Sequence, residues 1–406
     1  MKSTILKKTV SVLLLFLAFK ATVILAYLIY THFPVQLIHF EHLAIEDVEF
    51  NDIYYSTRGE DDTFLNQPKE VVLINTGSIR ADSLFRLHVA DLLRKINRYG
   101  PAAVGIDLLF EPSNRSPFDV QLADAVTKQR NLVLALDKDL PGRQMFPAAH
   151  KGIVNLPIAR QHGETVREYY NYLLKDKDTL FSFAFQLAKL KNPLLAARSS
   201  QEYLKYSCVY NGYYDIFNKK GPRNIHNNFP AIEATDLLND KDTAILRWYI
   251  ENRIVIIGQL GRDSMLSPWD VEDRYMVPTD STLLHRRLLM PGTVVNANAV
   301  QALIKDEHFI EMKGWRHELT TDLILILFMV LFYSIHQTYI LHKTINLFIV
   351  FASTIPIIFI LGPWLMSMGI YYRTGGLFLQ IAFAEEFIEI AEGFIHKFKN
   401  RKKREK

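Results

Sequence analysis

The spacing of apolar residues divides the chain into three regions. Thr9 to Tyr30 reads TVSVLLLFLAFKATVILAYLIY, a nearly unbroken apolar run of about the length that crosses a hydrocarbon core. Two further runs lie toward the other end, Leu319 to Ile335 and Thr344 to Trp364. A third, Gly369 to Phe398, is less clean, with Arg373 near its start and four glutamates further on. Between these ends, from residue 31 to residue 318, apolar residues fall into short blocks with the periods of strands and helices.

Those blocks predict an α/β domain. Around Glu70, KEVVLINTGS is a β-branched strand ending in a polar turn. Ser83 to Arg98 places Leu84, Leu87, Leu92, Leu93 and Ile96 at helical spacing, with Gly100 as a stop. Ala102 to Phe110 (AAVGIDLLF) reads as a second buried strand, Asp119 to Gln129 as a short amphipathic helix, and Asn131 to Leu136 (NLVLAL) as a third strand. Arg253 to Gly258 (RIVIIG) gives another continuous strand, covered by a helix from Thr293 to Ile304 that Pro291-Gly292 opens. Strands alternating with helices of this length imply βαβ units and a mainly parallel sheet. One sheet therefore draws strands from both halves of the region. The tyrosine-rich stretch from Tyr169 to Tyr214, with an amphipathic helix predicted from Thr179 to Leu190, reads as an elaboration packed on that sheet.

Composition changes little in this picture. The 406 residues are 49% hydrophobic, but that fraction is concentrated at the ends. A net charge of +4 is too small to argue for nucleic acid. The single cysteine, Cys208, excludes an intrachain disulfide framework.

Charge fixes the expected sidedness. Lys2, Lys7 and Lys8 precede the first apolar run, and KFKNRKKREK follows the last. A signal peptide shares the basic start, but this run is longer and lacks a small-residue cleavage site, so a retained anchor is expected. Basic flanks face the cytoplasm, which places both termini inside and requires an even number of crossings. The expectation is four membrane helices: one N-terminal span (9–30) after a cytoplasmic start (1–8), then three C-terminal spans (319–396). A basic cytoplasmic tail (397–406) also suits contact with anionic lipid. Three spans, with 375–397 as a surface helix, would strand the basic tail outside. The 31–318 domain is expected to lie beyond the cytoplasmic membrane.

The blocks FNDIYYSTRG, VVLINTGSIRADSL, YGPAAVGIDLLFEP, NRIVIIGQLGRDSMLSPWD and MPGTVVNANAVQALI, in that order and between these apolar runs, resemble the type-two CHASE family of extracytoplasmic sensory domains. The resemblance covers nearly the whole chain and rests on the order and spacing of the blocks. It implies a bacterial inner-membrane protein with a sensing or scaffolding role in the envelope. Members of the family place such a domain ahead of a cytoplasmic signalling module. Here no output module is expected. The family often has acids at the end of the first strand, where this chain has Asn75 and Thr76, and a histidine where it has Asn296.

Ligands of open α/β sheets bind beyond the carboxyl ends of the strands. That edge gathers Asn75 and Thr76, Asp107 with Glu111, Asp263 after Gly258, and Asn296 with Asn298 at the opening of the last helix. The plainer use of Asp107 and Asn296 is to cap turns and helix ends. Gly258-Gln-Leu-Gly261 lacks the dinucleotide spacing, and no zinc-protease or nucleophile-elbow motif occurs. His39 and His42 read as a surface pair rather than a metal site. No cofactor, metal or catalysis is expected.

Within the membrane runs, Lys20 falls near the middle of the first span, where a charge is costly without a partner. Glu385, Glu386, Glu389 and Glu392 lie in the last. Glu385, Glu389 and Glu392 share a helical face that His396 extends. Lys20 is expected to pair with Glu385 or Glu386. The surplus acids suit a cytoplasmic interface, a polar partner helix or, last, an ion path. The leading expectation is thus a non-enzymatic sensing or interaction protein acting through a separate membrane or periplasmic partner, with homo-oligomers possible. A scaffold subunit is the second reading and an ion-coupled component the third.

Overall fold

A computed structural model describes residues 10–22, 69–110, 115–155, 166–195, 205–210, 229–261, 274–277, 288–336, 362–371 and 377–394, apart from short gaps within them. The chain forms two compact units, one from residues 55–310 and one from residues 1–54 with 311–406.

The first unit is an α/β domain. Its strands are β1 (Val71–Asn75), β2 (Ala103–Ile106), β3 (Leu132–Leu136), β4 (His150–Ile153), β5 (Glu168–Tyr170), β6 (Tyr172–Lys175), β7 (Asp178–Phe181), β8 (Lys205–Ser207), β9 (Ala231–Glu233), β10 (Ile254–Gly258), β11 (Arg274–Val277) and β12 (Leu288–Pro291). Its helices are α1 (Phe85–Asn97), α2 (Asp119–Lys128), α3 (Phe183–Lys191), α4 (Ala234–Asn239), α5 (Thr243–Ile250) and α6 (Gly292–Lys305). Six strands make one parallel sheet in the order β4-β3-β2-β10-β1-β9. The late strand β10 enters between β1 and β2, with Val71 opposite Ile254 and Asn75 opposite Gly258. Every residue of β1, β3 and β10 is buried, as expected for strands covered on both faces, which is why these segments read as unbroken apolar runs.

Helices α1, α2, α4 and α5 cover one face. Leu92, Leu93 and Ile96 of α1, Leu122 and Val126 of α2, Leu237 of α4 and Ile250 of α5 share a core with Ile74, Val104, Ile106, Leu132, Leu134, Val255 and Ile257 of the sheet. Helices α3 and α6 pack together on the other face. There Gly105 and Gly152 let α3 approach closely: a Cβ at Gly152 would stand 2.4 Å from the Phe183 Cα. The α1 stop is as expected, since Gly100 has φ +64°, a conformation that glycine adopts without penalty.

Two boundaries differ from the sequence reading, and two edge strands are absent from it. The second strand ends at Ile106 rather than Phe110, because Leu108 and Phe110 turn aside to pack against the core and Leu109 is exposed. The helix expected from Thr179 begins at Phe183. Asp178–Phe181 instead pairs with Tyr172–Lys175 as a hairpin, and the Ser182 hydroxyl caps α3 by accepting the Phe185 N–H at 3.1 Å. The edge strands β4 and β9 escaped the reading because they are short and half-exposed. The elaboration is small antiparallel pairs, β5 with β8 and β6 with β7, and α3 packs on the sheet as expected.

In the second unit, Val10–Thr22 is helical, with Val12, Leu15, Phe16 and Phe19 turned inward and Leu13, Leu14 and Leu17 outward. Trp315–His336 is a helix long and apolar enough to cross a membrane, the one such helix among the described residues. Leu325, Met329 and Phe332 are buried, while Leu319, Leu323 and Leu327 form an outward stripe four residues apart. A short helix, Gly362–Ser367, follows, and the Met312 N–H donates to the Tyr371 carbonyl at 2.9 Å. The run from Thr344 lies outside the described residues as far as Leu361. Described residues between 377 and 394 are helical.

Candidate functional site

The carboxyl edge of the sheet does gather polar side chains, and the fold uses them. Asn75, the last residue of β1, is fully buried and reaches across two neighbouring strand ends. Its Nδ2 donates to both oxygens of Glu233 (2.9 and 3.0 Å) and to the Gly261 carbonyl (2.9 Å). Its Oδ1 accepts from the Gly77 and Leu260 N–H groups, both at 3.0 Å. One amide thus ties the turn after β1, the end of β9 and the loop after β10. Thr76 completes the clamp, its backbone N–H and its hydroxyl both donating to the Gly258 carbonyl (2.9 and 3.1 Å). The loops are so close that a Cβ at Gly77 would stand 1.9 Å from the Gly261 oxygen. A carboxylate at position 75 could still accept from Gly77 and Leu260 but could not bond Glu233 or the Gly261 carbonyl, because it has no N–H to give.

A second polar chain runs through α6. Asn296 lies in the second turn of that helix, which begins at Gly292 with Pro291 as its N-cap, so it neither caps the helix nor opens it. Its Nδ2 donates to Asp107 Oδ2 at 3.0 Å, and its Oδ1 accepts the hydroxyl of Tyr169 from β5. Asp107 in turn follows β2, its N–H donating to the Ile257 carbonyl at 2.8 Å. Tyr169, Asn296 and Asp107 therefore connect the elaboration, the buried helix and the sheet edge in one line. Asn298 points elsewhere, donating to the Val294 carbonyl of its own helix at 2.9 Å. Glu111 and Asp263 lie outside the described residues.

Of the predicted set, the structure brings Asn75 and Thr76 together in one cluster and Asp107 with Asn296 in another. Glu233 and Tyr169 were missed. Glu233 sits in a three-residue edge strand, and Tyr169 in a stretch whose many tyrosines hid the one that matters. No group of three metal-ligating side chains occurs among the described residues.

Of the two acids expected to pair with Lys20, Glu385 is not among the described residues, and Glu386 is not its partner. Lys20 Nζ lies 2.6 Å from Asp322 Oδ1 of the long apolar helix, rather than beside Glu386. Asp322 was the overlooked acid inside the apolar run itself. The N-terminal helix does meet the last helix, through an edge-on contact of Phe19 with Phe387 at 5.5 Å between ring centroids. Glu385 and His396 lie outside the described residues. Glu386 is exposed, and Glu389 and Glu392 are half-buried and engaged within the chain.

A three-layer α/β domain, preceded and followed in sequence by apolar helices, has the organisation of a membrane-associated sensory ectodomain. The chain matches the CHASE2 domain over residues 22–335, from the last residue of the N-terminal helix to the end of the long apolar helix, and it belongs to that family. The CHASE2 domain is an extracytoplasmic sensory domain. No curated protein and no solved structure gives a match.

Proposed function

We propose that this protein is a four-span membrane protein of the cytoplasmic membrane, with both termini inside, whose exported CHASE2 domain senses a condition or ligand and passes its state to a separate partner. It performs no catalysis in this reading. The CHASE2 match carries the proposal, because it runs from the end of the N-terminal helix through the whole sheet and on through the long apolar helix that follows it. The internal wiring suits transmission. Helix α6 is almost wholly buried, holds the Tyr169–Asn296–Asp107 chain, and ends at Lys305, only the nine residues 306–314 before Trp315. A shift of α6 is thus passed along a short covalent link to the membrane helix.

One observation favours a scaffold instead: the polar groups of Asn75 are spent on bonds inside the fold. Thermal unfolding of the purified chain against a panel of small periplasmic metabolites separates the two, since a sensor is stabilised by its ligand.

Sidedness is tested with single-cysteine variants of the C208S chain. Leu194→Cys, at a strongly exposed position, should react with a membrane-impermeant maleimide in intact spheroplasts. Lys403→Cys should react only after permeabilisation. The reverse pattern overturns the proposal.

A further inference from the structure

We infer that the outward face of the last helix docks a transmembrane helix of a separate protein, one that presents a lysine or arginine near mid-membrane. The inference rests on the four-span reading and names the chemistry of the partner that reading requires.

Two faces of this helix differ sharply. Leu377, Ile381, Ala384 and Ile388, spaced four, three and four apart, are buried within the unit. Phe383, Glu386, Ile390 and Phe394, also at helical spacing, are exposed on the other side. Three of these are large and apolar, and the fourth is a carboxylate. Glu386 has no hydrogen bond or ion pair among the described residues, unlike Glu389 and Glu392, which interact within the chain. Counting from Leu377 at the helical rise, Glu386 lies roughly 14 Å along the helix, about half the thickness of the hydrocarbon. A lone carboxylate facing lipid at that depth is costly, and such groups pair with a donor or line a path. Gly393 adjoins the same face, and a Cβ added there would meet nothing within 4 Å. A glycine inside a helix with open space before it suits close approach of another helix.

Charge selects the occupant. A second copy of this chain would bring its own Glu386 against the first. The one lysine in the described part of the N-terminal helix is already held by Asp322. Among the described residues no lysine of the N-terminal helix is left for Glu386, and a cation from another protein is the occupant that its charge selects.

The test uses the full-length chain in lipid bilayers, with energy transfer to synthetic polyleucine helices. A helix with one central lysine should associate roughly tenfold more tightly than an all-leucine helix, and E386Q should abolish the difference while melting at the wild-type temperature. Equal association of the two helices, or a lysine preference that survives E386Q, overturns the inference. So does self-association of the chain that depends on Glu386. A spin label on E386C separates this failure from failure of the four-span reading. Access to oxygen but not to a water-soluble nickel complex keeps the residue in lipid, so that an absent lysine preference sinks the docking alone. Access to nickel sinks both.

Discussion

Against one face of the parallel sheet, α1, α2, α4 and α5 set leucine, isoleucine and valine side chains that meet others of the same kind. Against the opposite face, α3 and α6 approach over glycines, and they lead to a sheet edge held by Asn75 and Asn296. The first face is stabilised by burial, which is non-directional and tolerates exchange among side chains of similar volume. The second depends on close approach and on hydrogen bonds with fixed geometry, which tolerate little. The face that joins the polar chain to α6 is therefore also the face on which the chain has least freedom to vary.

The largest effect expected from this contrast is at Gly152. Gly152→Ala would push a methyl group into the Phe183 backbone, with neighbours at 2.4 and 2.6 Å. Backbone cannot yield as a side-chain tip can. Loss of about 4 kcal/mol or more, or failure to fold, is expected in thermal unfolding of the full chain in detergent. A variant as stable as wild type would remove the distinction between the faces.

Asn75→Ala comes next. It strips Glu233 and the Gly261 carbonyl of a donor and leaves the Gly77 and Leu260 N–H groups unpaired in the interior. The expected cost is about 3 kcal/mol, since buried donors without acceptors keep their full desolvation penalty. Smaller again is the link through α6. Tyr169→Phe and Asn296→Ala, singly and together, should give a coupling of about 1 kcal/mol in a double-mutant cycle. Additive effects would mean that the elaboration and the sheet edge are not joined through this bond.

The same contrast explains how much of the fold is legible in the sequence. Strands β1, β3 and β10 and helices α1, α2 and α6 were legible because burial imposes continuous or 3.6-period apolar patterns, and those survive in one dimension. Asn75, Asp107 and Asn296 were picked out by their positions after strands or near a helix start, but their partners were not. That Asn75 answers to Glu233, 158 positions away, depends on β9 pairing with β1, and a three-residue edge strand leaves no periodic trace. Thr179–Phe181 misled for a related reason: its apolar spacing fits the first turn of a helix, while the hairpin partner Tyr172–Lys175 that claims it is visible only in space. Lys20 was rightly expected to need an acid. Its partner Asp322 is the single acid of another apolar run, and only the packing of the two helices brings it within 2.6 Å.

On the tolerant face, Leu122→Met should cost no more than about 1 kcal/mol, because the thioether occupies similar volume and the site is fully apolar. A larger loss would mean that this core, too, is held by shape rather than by burial.

The smallest effect belongs to the outside of the same α1–α2 layer. The carboxyl of Asp124 is held below its ordinary value by the hydrogen bond from Lys128 and, beyond that, by Arg94 of α1 at 3.6 Å, with the slight desolvation acting the other way. A carboxylate with a lowered folded-state value contributes stability above its unfolded value and loses it as pH falls through the folded one. The Asp124 side chain is 44% exposed, however, so water and salt screen both partners. Asp124→Asn should therefore lower the melting temperature only slightly near neutral pH, and the wild type and variant curves should converge as pH falls toward about 3. A gap of more than about 5 °C at neutral pH that closes on acidification would show that the α1–α2 layer relies on a directional surface contact, and the contrast between a tolerant and an exacting face would lose its simplest half.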